Sequence, residues 1–353
     1  MTTRLTFQEM YEAIVRKDSS FEGLFVTAVK TTGIFCRPVC MARKPKPQNV
    51  VFYQSVQEAL QHGYRPCRLC KPMEQADETP PFIQALLQAL SEDPFLRIKD
   101  ADLRRKGMEP NAVRRWFKKN HRISFHSYQR MLRINAAFYK ISNGQPVTEA
   151  AFDSGYHSLS GFSDSYRAIF GKSPTQSENK SIIHSRRFTT PLGPMFGCAT
   201  ERGVCLFEFT DRKMLETEFN DLKRRLDAVI LPGNNEHLDE LEKEIKEYFR
   251  GDRTTFTVPL HTPGSEFQQC VWDALCKIPY GATRSYKEQA LFIKRESAVR
   301  AVAAANGANR VAIIIPCHRV VGSDGTLTGY GGGLARKKWL LDFEQSNRRL
   351  TLD

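Results

Sequence analysis

The spacing of apolar residues predicts a pair of helices in the middle of the chain. In NAVRRWFKKN, Val113, Trp116 and Phe117 fall at i, i+3 and i+4, which marks the buried face of a helix. Asn111 is placed to act as the N-cap of that helix. The preceding segment, IKDADLRRKG, is predicted to be a shorter helix that ends at Gly107. Together the two segments predict a helix-turn-helix unit.

A second segment, PVTEAAFDSGYHSLSGFSDSYRAIFGKSP, repeats this arrangement around a turn at Gly155 and Tyr156. Its second helix is predicted from Ser158 to Phe170, with four apolar residues facing inward: Leu159, Phe162, Tyr166 and Phe170. The helix ISFHSYQRMLRINAAFYKI joins the two units. The middle of the chain is therefore expected to be an all-α domain.

At the start of the C-terminal half, the spacing of apolar residues changes from the period of a helix to that of a strand. Apolar and polar residues alternate around turn glycines in FTTPLGPMFGCATERGVCLFEF, which predicts strands. Two segments with the pattern of amphipathic helices follow, MLETEFNDLKRRL and HLDELEKEIKEYFRG. From Gly264 the pattern is helical and ends in an alanine-rich helix around Arg300. Residues 312–315 form an apolar run that is typical of a buried strand, and this run delivers Cys317 beside His318.

Two polar segments, KPMEQADETPP and PTQSENKS, are typical of linkers. They, together with the start of the helical pattern near 264, predict four units, at residues 1–77, 80–177, 182–264 and 265–353. At 353 residues the chain is also longer than one core normally supports. We expect a multidomain α+β protein.

The formal charge of +13 suggests a polyanionic partner. Residues 94–174 carry 15 Lys and Arg against 6 Asp and Glu, so the charge concentrates in the helical domain. Arg114, Arg115 and Lys118 are predicted to face outward on the helix that would enter a DNA major groove. No apolar run approaches the length of a membrane span, so we expect a cytoplasmic protein without a membrane partner.

Nine cysteines without an export signal favour metal binding or nucleophilic chemistry over disulfides. Cys36 and Cys40 are separated by three residues, and Cys67 and Cys70 by two. Two such pairs predict one tetrahedral Zn²⁺ per chain. On spacing alone, a structural zinc site and a reactive one both remain open.

FVTAVKTTGIFCRPVC and GYRPCRLCKP resemble the N-terminal domain of the Ada-type DNA repair proteins over residues 20–72. The resemblance implies a small zinc-bound α/β domain in which Cys36 accepts a methyl group from a methylated DNA phosphotriester. The other three cysteines would help to hold the metal. Zinc keeps thiols deprotonated, and four thiolates on one Zn²⁺ leave a charge of about −2.

Four arginines around this site are expected to meet the DNA backbone: Arg37, Arg43, Arg65 and Arg68. Met41 stands where the family often has a further arginine.

The middle domain resembles the AraC-type double helix-turn-helix, including its closing FGKSP, although Arg122 stands where a glycine is usual. This resemblance implies promoter DNA as a partner. With methylation of Cys36 as the trigger, it implies a monomeric transcriptional activator that works with RNA polymerase.

PCHRV, with SY upstream and GYGGGLARKKWLLDFE downstream, is similar to the O6-alkylguanine-DNA alkyltransferases over roughly residues 265–345. The similarity implies that Cys317 accepts the alkyl group and that His318 takes its proton through water and keeps the sulfur anionic. Glu344 would orient the histidine, Asn309 would brace the active-site turn, and Tyr286 would help to rotate and protonate the lesion. No organic cofactor is implied.

The same similarity implies a ribonuclease-H-like subdomain followed by a winged-helix-like catalytic subdomain. Arg300 would fill the space left by the flipped nucleotide, and Tyr330 would wall the base pocket together with Gly331 to Gly333. The chain departs from the family at residues 293–296, where Ile-Gly-x-Pro is usual, and at Gly331, where some relatives have serine.

Two alternatives remain at this stage. The first is an AraC-type regulator whose terminal domains only sense and carry little repair activity. The second is a zinc or redox sensor that loses its metal on mild oxidation.

Overall fold

The N-terminal unit is built on a small sheet. The structure, a computed structural model, describes residues 5–73, 79–121, 123–176 and 181–350. The strands run in the order β3-β1-β2-β4, with β2 and β4 parallel and the other neighbours antiparallel. The elements of this unit are α1 (Phe7–Arg16), β1 (Val26–Val29), β2 (Ile34–Cys36), β3 (Val50–Tyr53), α2 (Val56–Gln61) and β4 (Arg65–Pro66).

The middle unit is entirely helical among its described residues. Its helices are α3 (Pro81–Glu92), α4 (Asp100–Arg105), α5 (Pro110–His121), α6 (Phe125–Ser142), α7 (Val147–Asp153) and α8 (Leu159–Phe170). Val113 and Phe117 pack with Phe125 in one core, and Phe162 and Tyr166 pack with the other end of α6 in a second core. The long helix α6 therefore supports two helix-turn-helix units, as the periodicity predicts.

Two local predictions in this unit are wrong. Asn111 is not an N-cap, because α5 begins one residue earlier at Pro110, whose missing N–H and fixed φ suit the first helical position. Leu159 is 39% exposed because it lies in the first turn of α8, outside the cluster around Phe162. Arg122 lies outside the described residues.

The C-terminal half begins with a second four-stranded sheet, of order β7-β6-β5-β8, in which only β5 and β8 are parallel. Its elements are β5 (Ser181–Thr190), β6 (Gly193–Thr200), β7 (Gly203–Phe209), α9 (Leu215–Arg225), β8 (Ala228–Pro232) and α10 (Glu236–Arg250). A mostly helical part follows, with α11 (Glu266–Cys276), β9 (Arg284–Ser285), α12 (Tyr286–Phe292), α13 (Val299–Gly307), β10 (Val320–Val321) and α14 (Leu334–Leu350).

One hydrophobic core joins the sheet to this helical part. Phe207 and Tyr248 from the sheet side share it with Trp272, Ile313 and Leu340. The predicted boundary between residues 264 and 265 therefore crosses one packed body.

The apolar run at residues 312–315 is a buried turn, and the prediction of a strand there is wrong. Only Val311 pairs with the sheet, since Phe207 donates to the Arg310 carbonyl and accepts from the Ala312 amide, both at 2.8 Å. The chain then folds back, with the Ile315 amide on the Val311 carbonyl at 3.0 Å. Ile313 has a φ of 73°, a left-handed conformation that is strained for a β-branched residue.

Among the described residues, no helix combines the length and the apolar character that crossing a membrane requires.

Replacement of Phe207 by alanine tests the shared core. Phe207→Ala should lower the free energy of unfolding by about 3–5 kcal/mol, because a fully buried phenyl ring leaves a cavity. Urea unfolding followed by tryptophan fluorescence measures this change. Met214→Ala is the control, since Met214 is 53% exposed. Equal midpoints for the two variants would contradict the packing described.

Candidate metal centre and buried cysteine site

The sheet of the N-terminal unit brings the two cysteine pairs together. Cys36 ends β2, and the Cys67 amide donates to the Phe35 carbonyl at 3.0 Å, which fixes the second pair beside the first. The sulfurs of Cys36, Cys40, Cys67 and Cys70 all lie within 4.8 Å of one another. Tetrahedral Zn–S bonds of about 2.3 Å place sulfurs about 3.8 Å apart, so this donor set fits Zn²⁺. The prediction of a four-cysteine zinc site is confirmed.

The four sulfurs differ in their hydrogen bonds. The Arg37 amide donates to Cys70 Sγ at 3.4 Å, and the Ala42 amide donates to Cys40 Sγ at 3.5 Å. Within the described part of the chain, no backbone N–H donates to the sulfur of Cys36 or of Cys67. Cys36 is also partly exposed, whereas Cys40 and Cys67 are buried. Cys36 is therefore the one sulfur of the four that is both partly exposed and without a backbone N–H donor among the described residues.

The protons of these thiols are shared unequally. The hydrogen bond to Cys70, together with burial, raises the pKa of Cys36, and the same bond lowers the pKa of Cys70 to about 5. Close thiols that hold protons in this way bind Zn²⁺ by releasing them. The donor chemistry thus agrees with the geometry.

The predicted DNA-facing arginines of this unit fall into two groups. Arg43, Arg65 and Arg68 are exposed. The Arg37 side chain is only 16% exposed, with Nη1 at 3.5 Å from a Glu22 carboxylate oxygen and Nη2 donating to the Lys71 carbonyl at 3.0 Å. Arg37 is therefore bound within its own domain in this structure.

Cys317 lies in a short helical turn at Cys317–Arg319 and is almost fully buried. Asn309 Nδ2 donates to Cys317 Sγ at 3.1 Å and to the Ile315 carbonyl at 2.9 Å, so one amide holds both the sulfur and the turn below it. Burial raises the pKa of the Cys317 thiol to about 11, and the Asn309 hydrogen bond only partly opposes this.

The expectation that an imidazole keeps this sulfur anionic is therefore corrected, because at neutral pH the resting group is a thiol. Its full burial penalises the charged form more than the neighbouring donors stabilise it. The proton of Cys317 must leave as part of any reaction at this sulfur.

A buried carboxylate organises the residues beneath Cys317. His318 Nε2 lies 2.9 Å from Glu344 Oε1, and Arg319 binds both carboxylate oxygens at 2.8 and 2.9 Å. Tyr248 and the Gly281 amide also donate to Glu344, at 2.8 and 3.1 Å. Burial opposes ionisation of Glu344, but His318 and Arg319 outweigh it and hold its pKa well below the usual range.

This carboxylate fixes the tautomer of His318. Burial lowers the pKa of His318, and Glu344 opposes that effect, so the imidazole is neutral at pH 7. With Nε2–H directed at Glu344, the lone pair is on Nδ1. Nδ1 is buried and has no hydrogen-bond partner among the described residues. The residue that follows Cys317 in the chain therefore carries a neutral imidazole with an unused acceptor nitrogen.

Cys317 opens onto a cavity of about 1080 Å³ that is also lined by Tyr286, Arg300, Tyr330 and Gly331. The Tyr286 hydroxyl donates to the Thr328 carbonyl at 3.3 Å. The structure thus collects the predicted pocket residues around the sulfur, in a volume that accommodates a purine base.

Lys337 is a residue of this site that the sequence did not indicate. Its Nζ donates to the Val320 and Thr328 carbonyls, both at 2.6 Å, and so ties the pocket loop to the core. Burial lowers the pKa of Lys337 to about 8. In the sequence it is indistinguishable from its neighbour Lys338, and no local signal separates a buried lysine from an exposed one.

The helices predicted to face DNA present the expected surfaces. Arg300 is exposed near the start of α13, and the neighbouring exposed residues Ala301, Ala303 and Ala304 are small. In the preceding turn Lys294 has a φ of 57°, at the position where the family usually has glycine, so a strained lysine replaces a permissive residue.

On α5, Arg114 forms an ion pair with Asp100. Four basic side chains of this helix are exposed, and three of them are the predicted DNA-facing residues. The three are Arg114, Arg115 and Lys118.

Three family models match the chain, each over one part of it. They are the metal binding domain of Ada at residues 9–73, a helix-turn-helix domain at residues 103–180, and the 6-O-methylguanine DNA methyltransferase DNA binding domain at residues 266–346.

Relatives match the whole chain or its C-terminal half. A methylated-DNA--protein-cysteine methyltransferase, described as inducible, from Bacillus subtilis is 45% identical over 42% of this chain and 82% of its own length. The crystal structure of Mycobacterium tuberculosis OGT in complex with DNA matches at 40% identity, covering 46% of this chain and 94% of that chain, with a TM-score of 0.41.

The bifunctional transcriptional activator/DNA repair enzyme Ada of Escherichia coli K12 is 34% identical, and the match covers 98% of both chains. Because this identity extends over nearly the full length and includes a metal centre, a helix-turn-helix domain and a buried cysteine, the chain belongs to the Ada family.

Proposed function

We propose that this protein reverses DNA alkylation directly, by irreversible transfer of alkyl groups to two of its own cysteines, and that transfer to Cys36 turns it into a transcriptional activator. Residues 1–77 would repair methylphosphotriesters, residues 80–177 would bind promoter DNA, and residues 182–353 would repair O6-alkylguanine. The observation that carries the proposal is the thiol of Cys317, which is held by Asn309 at a cavity large enough for a base and is followed in the chain by the His318–Glu344 pair.

At Cys317, the sulfur attacks the alkyl carbon of an extruded O6-alkylguanine. A new S–C bond forms, the C–O6 bond breaks, and its electron pair stays on the guanine O6. The thiol proton passes through water to His318 Nδ1, and the departing guanine takes one proton from the hydroxyl of Tyr286, a cavity-lining residue. The imidazolium proton then replaces the proton of Tyr286, so the net transfer is one proton from sulfur to guanine. Extrusion costs a few kcal/mol, which Arg300 offsets by filling the emptied stack. The thioether product cannot leave, so each cysteine acts once.

At Cys36, the sulfur attacks the methyl carbon of a phosphotriester, and the C–O bond breaks with its electron pair left on the phosphate. Bound zinc would supply a centre that keeps all four thiols deprotonated. The chain itself selects the acceptor, since Cys36 is partly exposed and, among the described residues, its sulfur receives no backbone N–H. Arg43, Arg65 and Arg68 are exposed around the site and would contact the DNA backbone.

Methylation of Cys36 changes the charge of the metal site from about −2 to about −1, because a thioether replaces a thiolate. Repulsion between the site and DNA phosphates falls accordingly. The basic face of α5, with Arg114, Arg115 and Lys118 exposed, would then hold promoter DNA for RNA polymerase.

We further propose that the protein acts as a monomer in the cytoplasm, where its unpaired cysteines stay reduced.

Peptide mapping after exposure to alkylated DNA tests both acceptors. With duplex DNA that carries a methylphosphotriester and an O6-methylguanine, we expect one methyl group on Cys36 and one on Cys317, by mass spectrometry. Cys36→Ala should lose only the first adduct and Cys317→Ala only the second. An unmarked wild-type protein would favour a regulator without repair activity, and zinc loss on mild oxidation without adducts would favour a redox sensor.

The pH dependence of transfer tests His318. At saturating DNA the wild-type rate should change little from pH 7 to 9, because neutral His318 accepts the proton throughout this range. In His318→Gln the rate should be lower and should rise about tenfold per pH unit, because the thiolate fraction of a thiol with a pKa of about 11 rises in that way.

Single-turnover rates measure this difference, with His62→Gln, at an exposed histidine, as the control. A wild-type profile as steep as that of His318→Gln would remove His318 from the proton path.

The charge switch is tested by DNA affinity. Methylation of Cys36 should strengthen binding to undamaged duplex by about fivefold at low salt, as expected for about 1 kcal/mol of relieved repulsion. The gain should shrink as salt is added, because screening weakens the repulsion. Fluorescence anisotropy measures it, with Cys36→Ala exposed to the same methylated DNA as the control. Equal gains for the control would assign the effect to Cys317.

A further inference from the structure

A buried arginine stands in the wall of the cavity that contains Cys317. Arg212 follows β7, and its side chain is 6% exposed. Nη1 forms an ion pair with Glu208, Nη2 lies 2.7 Å from Glu218 Oε1, and Nη2 donates to the Gly307 carbonyl at 2.8 Å. Both carboxylates are themselves buried. The guanidinium is therefore held in one place by three partners from separate parts of the fold.

Gly331 packs directly against this guanidinium. A Cβ built on Gly331 would lie 2.1 Å from Arg212 Nη1 and 2.6 Å from Cζ, and the three nearest heavy atoms all belong to Arg212. The φ of Gly331 is outside the left-handed region, so its backbone would accept any L-residue. The guanidinium of Arg212 therefore occupies the space in the pocket wall that a side chain at position 331 would take.

The cavity wall also contains polar groups that form no hydrogen bond with the described residues. A guanidinium has five N–H donors, and Glu208, Glu218 and the Gly307 carbonyl account for three. Within the described chain, Arg212 Nε has no partner, and neither do the amide of Asn306 and the hydroxyl of Tyr330, two other cavity-lining residues. Buried polar groups are normally paired, so this wall is suited to a polar ligand such as a purine edge.

We propose that Arg212 is a specificity-determining residue for transfer to Cys317, which donates to the O6 edge of the extruded guanine from the space that a side chain at position 331 would fill. The inference rests on the proposed alkyl transfer. When the C–O6 bond breaks, negative charge develops on O6, and a fixed N–H donor beside that oxygen stabilises it. Because the guanidinium also fills the wall, it restricts the size of the alkyl group that the pocket admits.

A double-mutant cycle between positions 212 and 331 tests the proposal. Gly331→Ser should slow methyl transfer on the order of tenfold, because the new side chain must displace the guanidinium. Arg212→Ala should slow it on the order of a hundredfold, because one donor to the leaving oxygen is lost. The double variant should react faster than either single variant, since the serine hydroxyl then has the space and supplies a donor.

Alkyl size gives an independent readout. The ratio of the rates for O6-benzylguanine and O6-methylguanine in the same duplex should rise in Arg212→Ala, because the pocket wall recedes. All rates are single-turnover rates at saturating DNA. Arg224→Ala, at an exposed arginine of the adjoining helix α9, is the matched control and should leave both rates unchanged.

The controls separate chemistry from folding. Arg212→Ala leaves Glu208 and Glu218 unpaired, so Arg212→Met combined with Glu208→Gln is measured in parallel, and thermal unfolding is recorded for every variant. A double variant no faster than the slower single variant, or an unchanged benzyl-to-methyl ratio, would overturn the role of Arg212. A wild-type protein that leaves Cys317 unmethylated would overturn the proposed function instead.

Discussion

The C-terminal half of the protein is organised around one buried carboxylate. Glu344 accepts hydrogen bonds from the helix that carries Tyr248, from the Gly281 amide and from the turn that carries His318 and Arg319. An ionised carboxylate without water is stable only with several donors, and these five contacts supply them. Removal of Arg319, its charged partner, would leave the carboxylate charge unpaired in the core. Folding of this region and orientation of the His318 imidazole therefore depend on the same interaction.

The same burial explains why Cys317 rests as a thiol. A permanently ionised sulfur in this core would need a cation beside it, and two cations that act on Cys317, Arg212 and Lys337, are bound to other partners. The protein instead has a neutral thiol followed in the chain by a neutral imidazole, whose acceptor nitrogen has no hydrogen-bond partner among the described residues. The charged pair then has to form only when substrate is present, so the resting fold does not carry the desolvation cost of a thiolate.

The sequence predicted those features that depend on short spacings. The Cys36, Cys40, Cys67 and Cys70 cluster follows from two close pairs, and the helices of the middle domain follow from their apolar period. Features set by packing could not be predicted in this way. An apolar run such as residues 312–315 fits a strand or a turn equally well, and the turn results from Asn309 and from a single bridge to Phe207. Arg212 and Gly331 are more than a hundred residues apart, and no local pattern relates them.

Under the proposed function, Cys36 and Cys317 must each be a nucleophile at neutral pH, and their surroundings favour different ways to achieve this. At Cys36 the substrate is a backbone group on the DNA surface, so the sulfur must be accessible, and a metal centre can hold it as an anion there. At Cys317 the substrate is a base that has to leave the stack, so the site must be enclosed, and enclosure excludes a standing anion. The accessible site changes net charge near DNA when it reacts, whereas the enclosed site changes none at the surface. Of the two reactions, only methylation of Cys36 would therefore change the affinity of the protein for DNA and so signal that damage has occurred.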